Sequence, residues 1–265
     1  MFLFHGRRGL RYTKPVPPHT VILILFAVSG LVVGSFSNVL LIRTAKGKPL
    51  DGRSKCPHCK KVIAWYDLIP VLSFVLLGGR CRRCKKPIGL RYPLTELATM
   101  ILFIAAYLLH SNNLPLAIMT VIVFWGILLV TVFDAYEMMI PDAFTAIIAI
   151  GALGTMWLEQ QFLSPLLGAC VGAAWFGFQW LISRGNIVGS GDIFLGFSLG
   201  LWLGLSKTIP MLAIAYMTGA CVGVILIAMD RATRKSRLAF GPFLAIGAFA
   251  AYLGVGDAYL QLIGL

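Results

Sequence analysis

"VILILFAVSGLVVGSFSNVLLI", residues 21–42, carries no charged side chain. An α-helix rises about 1.5 Å per residue, so about 20 apolar residues cross the hydrocarbon core of a bilayer. Similar runs recur along the chain. Of its 265 residues 58% are hydrophobic and only 12% charged, where a soluble domain carries about 25% charged residues. The mean hydropathy is +0.86. These features predict an all-α polytopic membrane protein, with eight spans at roughly 20–42, 93–110, 115–133, 143–158, 162–182, 192–206, 208–229 and 239–257. The sixth is short and rich in glycine. "GRRGLRYTK" (6–14) before the first run resembles the basic start of a signal peptide. The apolar run is long for such a peptide and no small-residue cleavage site follows, so it reads as a retained span.

The excess of 23 basic over 10 acidic residues sets orientation and does not call for nucleic acid. Segments 43–91, 183–191 and 230–237 lie on one side of an eight-span chain and hold 18 Lys and Arg; the other side holds five, four of them in the N-terminal tail. The richer side is cytoplasmic. Three regions follow: the tail and first helix (1–42), a polar cytoplasmic insertion (43–92) and a bundle (93–265).

In the insertion, "CPHC" (56–59) and "CRRC" (81–84) are two C-x-x-C pairs. Two such knuckles can supply four thiolates to one tetrahedral zinc, and a reducing cytoplasm disfavours disulfides. Cys56, Cys59, Cys81 and Cys84 are the expected ligands, with nearby Lys and Arg helping to hold the thiolates ionised. The bland alternative is reduced or redox-active cysteines without metal. His58 reads as a bystander, and Cys170 and Cys221 as packing residues within spans. "WYDLIPVLSFVLLGG" (65–79) is too short to span; it fits the membrane interface, with Trp65 and Tyr66 near headgroups, or the core of a small domain.

Three aspartates fall at cytoplasmic ends of spans. Gly189, Gly191 and Asp192 form G-x-G-D, in which glycines permit bending and close approach. Asp192 and Asp142 both suit helix N-caps, where negative charge is favoured. Asp134 closes an apolar run at a helix C-terminus, where the dipole disfavours it. Asp134 paired with Asp192 could share a proton, one carboxylate acting as base on a water and the other as acid at a scissile carbonyl. Ion-coupled transport uses similar residues, but offers no reason for the cysteine insertion.

The ordered set "GSFSNVLLIR" (34–43), the two C-x-x-C pairs around "DLIPVLSFVLLGGRC", "GLRYPLTELAT" (89–99), Asp134 with "IPD", G-x-G-D and "AFGPFLAIGAF" (239–249) resembles the bacterial type IV prepilin peptidases over nearly the whole chain. The resemblance implies a bifunctional enzyme of the bacterial inner membrane. It cuts the basic leader of prepilins and type II secretion pseudopilins after a glycine, then methylates the new N-terminus with S-adenosylmethionine. It implies catalytic roles for Asp134 and Asp192, a supporting role for Asp142, and a place in the methylation insertion for the four cysteines. Glu96 matches an acidic position expected to anchor the substrate's ammonium or a cofactor group; its bland reading is a first-turn helix charge. The family's usual lysine two residues after the G-x-G-D aspartate is Phe194 here. The expected partners are prepilins, pseudopilins and anionic lipid around the basic insertion. The alternatives are a peptidase lacking methyl transfer, and a transporter or scaffold with a zinc module.

Overall fold

The computed structural model describes residues 18–186, 188–233, 236 and 238–255. The basic stretch 6–14 and residues 256–257 of the last expected span lie outside them. The described chain is helical: α1 Pro18–Ala45, α2 Leu72–Leu76, α3 Arg91–Leu109, α4 Leu114–Glu137, α5 Asp142–Glu159, α6 Leu163–Ser183, α7 Ser190–Ala228 and α8 Gly241–Tyr252, with a 3-10 turn at Trp65–Leu68. Six of these helices are long and apolar enough to cross a membrane, and α8 is shorter.

Local sequence explains the ends of α4. Asn113 caps its start by accepting from the Leu116 N–H at 3.2 Å, with a proline in the first turn. At its end Met138 adopts a left-handed conformation and donates to the Asp134 carbonyl. Pro141 then opens α5 with φ −68°, the value proline favours.

The expected spans 192–206 and 208–229 are one 39-residue helix, α7, broken at Gly204, where φ 73° and ψ 174° suit glycine alone. The break is a reversal. Ser164, Gly168 and Gly172 of α6 lie beside Gly204, Gly200 and Gly196, so the first half of α7 runs antiparallel to α6. Trp175 and Gln179 then hydrogen-bond Tyr216 at 3.2 and 2.9 Å, so residues 205–228 return along α6. Counting the two halves separately, and the shorter α8 with them, gives eight apolar helical segments at the places of the eight expected spans. The break falls three residues earlier than the lysine, Lys207, that divides the two expected spans.

Close backbone approach holds α6 to α7. A Cβ on Gly200 would lie 2.2 Å from the Gly168 carbonyl oxygen, and one on Gly172 2.2 Å from that of Gly196. Small residues serve this purpose in membranes, where lipid gives no hydrophobic drive for helix association. Gly200→Val is expected to destabilise by about 1–3 kcal/mol or more through overpacking. Gly177→Ala, which meets nothing within 4 Å, should leave the midpoint unchanged. Thermal unfolding in detergent compares the two. Cys170 and Cys221 lie exposed on helix surfaces, outside the core packing expected of them.

Candidate functional site

The ends of α4, α5, α7 and α8 meet at one end of the bundle. Asp134, only 5% exposed, sits in the last turn of α4. Its Oδ2 accepts the Gly241 N–H at 2.7 Å, from the first residue of α8. Asp192 is half-buried in the first turn of α7, and its Oδ2 accepts the Gly189 N–H at 3.0 Å. It is the third helical residue, reaching back to the cap at Gly189, and not itself the N-cap. The turn before it packs on the α4–α5 connection, where a Cβ on Gly191 would meet the Ile140 carbonyl oxygen at 2.9 Å. Thr131 and Leu195, each three residues from one of the aspartates, line a single crevice together with Gly241. Among the described residues neither pairs with a cation, and the one ion pair there is Arg82–Asp67.

Of the two motif glycines only Gly191 is required by its surroundings. Gly189 has φ −79°, open to any residue, and an added Cβ would find ordinary contact at 3.6 Å. Sequence reading missed Gly241: a Cβ there would press on Asp134 Oδ2 at 2.9 Å. Its signal was present in "AFGPF", a glycine before a proline at a helix start. Gly241→Ala should lower cleavage at least about tenfold by displacing that carboxylate, and Gly191→Ala should cost more than Gly189→Ala. Initial rates of leader removal, with unfolding midpoints as control, test both rankings.

Asp142 is not the N-cap of α5. Pro141 holds that position, and exposed Asp142 adds charge to the first turn without a side-chain cap. Phe194 is exposed and, two residues along the helix from Asp192, points to a different face. Below the aspartates a crevice with an empty volume of about 150 Å³ runs between α4, α7 and α8, lined by Ile127, Thr131, Leu195 and Leu199. It is too narrow to admit water.

The four insertion cysteines converge. Their sulfurs all lie within 4.8 Å of one another, with Cys56 and Cys84 at 3.8 Å. Four thiolates at about 2.3 Å from one zinc stand about 3.8 Å apart, so the set fits a tetrahedral metal. The two knuckles match in detail. Cys56 N–H donates to Lys61 and Cys81 N–H to Lys86, while Lys60 and Lys85 take left-handed conformations. Backbone amides of Cys84 and Arg83, rather than basic side chains, lower the Cys81 thiol to about 7. Exposed His58 stands outside the cluster.

The apolar stretch between the knuckles has no buried residue, which excludes a small-domain core. Trp65 is 74% exposed and Leu76 75%. Glu96 is not a first-turn charge. It lies a turn further into α3, buried, and accepts the Val71 N–H at 2.8 Å. That bond holds Val71 at φ 59°, which a β-branched residue rarely adopts. Glu96 thus fastens the apolar stretch to the bundle.

Residues 28–110 match the bacterial peptidase A24 N-terminal domain, and residues 121–224 the type IV leader peptidase family. A type 4 prepilin-like proteins leader peptide-processing enzyme of Escherichia coli is 31% identical, over 91% of this chain and 94% of its own. A prepilin leader peptidase/N-methyltransferase of Burkholderia pseudomallei is 34% identical, over 89% and 86%. One of Pseudomonas aeruginosa is 31% identical, over 89% and 92%. No solved structure matches. Alignment of this kind along both halves, insertion and bundle alike, makes the chain a member of the type IV leader peptidase family.

Proposed function

We propose that this chain removes the leader of type IV prepilins and pseudopilins and then methylates the new N-terminal amine, with Asp134 and Asp192 as the catalytic carboxylates. The observation that carries the reading is the placing of two aspartates, from α4 and α7, at one end of an apolar bundle, neither of them ion-paired among the described residues. Two neighbouring carboxylates in a partly dry site hold one proton between them. The ionised one takes a proton from water as that water attacks the scissile carbonyl. The protonated one gives its proton to the carbonyl oxygen; as the tetrahedral carbon collapses, the proton taken from water passes to the leaving amine and the hydroxyl returns the other to its carboxylate. Gly241 and Gly189 N–H groups fix the orientation of each carboxylate.

The site faces the cytoplasm of a bacterial inner membrane, a reading that the charge asymmetry supports. Substrate can then place its apolar helix between the spans and its basic leader outside them. The insertion, with 13 basic residues over 43–91, repels that leader and rests on anionic lipid, Trp65, Leu72 and Leu76 entering the interface. Cys56, Cys59, Cys81 and Cys84 hold a structural zinc; the metal supplies a fixed crosslink between the knuckles. S-adenosylmethionine supplies the methyl group.

Purified protein in detergent, given a prepilin and S-adenosylmethionine, should yield a product lacking the leader and heavier by one methyl, read by intact mass. Leader loss alone reduces the reading to a peptidase. No cleavage of several prepilins by folded protein overturns it in favour of a transporter or scaffold.

A further inference from the structure

Arg91 opens α3 directly after the second knuckle. Its guanidinium carbon lies 4.5 Å from the centre of the Tyr136 ring, two residues past Asp134 in the last turn of α4. The ring face fixes the plane of the cation. Yet Arg91 Nε is buried without an acceptor. No carboxylate among the described residues forms an ion pair with Arg91.

Across the α1–α3 contact stands Asn38, 3% exposed. Its amide nitrogen donates to the carbonyls of Gly34 at 3.3 Å and Tyr92 at 3.1 Å. Because both neighbours are acceptors, the amide cannot be turned over without setting oxygen against oxygen. Asn38 Oδ1 therefore faces a different direction, buried and without a donor. Among the described residues a buried donor on Arg91 and a buried acceptor on Asn38, whose amide holds the carbonyl of the next residue, Tyr92, are both unmet. Native structures leave few such groups.

A ligand that satisfies both offers an anion to the guanidinium and N–H donors to the amide oxygen. The α-amino-acid head of a free amino acid or its derivative has this pairing, a carboxylate beside an ammonium. The location suits a methyl donor. Arg91 follows Cys84 of the second knuckle by seven residues, and Tyr136, whose ring it covers, shares its helical turn with Asp134. Arg91 therefore sits between the insertion and the cleavage site, where a freed N-terminus is left. We propose that Arg91 and Asn38 bind the amino-acid head of S-adenosylmethionine, the guanidinium taking its carboxylate and Asn38 Oδ1 its ammonium. The inference rests on the methyl-transfer reading above. A carboxylate on the prepilin could occupy the same guanidinium, and the test separates the two.

The full chain in detergent is titrated with S-adenosylmethionine and with its decarboxylated analogue, without prepilin, by calorimetry. Arg91→Gln should weaken donor binding about 10- to 100-fold, and Arg91→Lys, which keeps charge but not the planar fork, about tenfold. Wild-type protein should prefer the donor over the decarboxylated analogue by a similar factor, and Arg91→Gln should lose that preference. Asn38→Ala should weaken both ligands. Unfolding midpoints and donor-free leader cleavage report the fold of each variant. Equal donor affinity in wild type and both Arg91 variants overturns the site, and weaker prepilin binding in those variants then assigns the guanidinium to the substrate. Retained preference for the carboxylate in Arg91→Gln also overturns it. Parallel loss of donor binding and cleavage in Arg91→Lys makes Arg91 a structural residue and overturns it as well. Wild-type protein that cleaves but neither binds nor uses the donor overturns the methyl-transfer reading together with the site.

Discussion

Asp134→Asn and Asp192→Asn should each lower leader removal by about 10³-fold or more, and the double variant should be little worse than either single one. An amide of the same shape preserves packing, and its oxygen can still accept the Gly241 or Gly189 N–H. What it removes is the ability to take or give a proton, worth about 10²–10⁴ in rate for one group. Two groups that share one proton act as a unit, so their losses do not add. The measurement is the initial cleavage rate with unfolding midpoints as a fold control. Asp142→Asn is the contrast. Asp142 is exposed and its side chain caps nothing, so a loss within tenfold is expected. A variant of either buried aspartate retaining a tenth of the wild-type rate would remove it from the chemistry.

Much of this arrangement was legible in the sequence because a membrane restricts what a chain can do. Backbone groups in hydrocarbon must be satisfied within the segment, so each apolar run becomes a helix. Charge asymmetry then orders the ends, bringing residues 134, 142 and 192 to one side. The C-x-x-C spacing encodes a knuckle locally, and the two knuckles met as expected. Less legible was whatever depends on a residue from elsewhere in the chain. Gly204 turns α7 back on itself through a conformation the sequence marks only as one glycine among several. Glu96 reads as a helix-start charge until Val71, from the insertion, appears above it. The Gly241 amide that orients Asp134 lies 107 residues away along the chain. Asp142 was misread for a local reason: Pro141, with its extended backbone, already occupied the cap.

Replacement of any one of Cys56, Cys59, Cys81 or Cys84 by Ser should abolish binding of about one zinc per chain and lower methylation at least tenfold, while cleavage falls far less. The four sulfurs lie in two knuckles joined by little besides their own convergence, with the Arg82–Asp67 pair and the Val71–Glu96 bond nearby. Loss of one ligand frees a knuckle, since the energy of metal binding is folding energy for so small a module. Without metal the four thiols cannot all ionise: Cys84, although drawn down by the Lys86 amide, is pushed up to about 11 by burial and the neighbouring sulfurs. A strong chelator should therefore act as the mutations do, and its effect should deepen as pH falls and the thiolates are protonated. The two aspartates proposed for cleavage take no hydrogen bond from the insertion among the described residues. Asp134 and Asp192 are held by Gly241 and Gly189, both on the bundle, and α1 and α3 keep their packing through Gly30 and Gly34. Zinc content by mass spectrometry, with cleavage and methylation counted on the same product, decides it. Complete and equal loss of both reactions in folded, zinc-free protein would mean that the insertion shapes the cleavage site and is not confined to methylation.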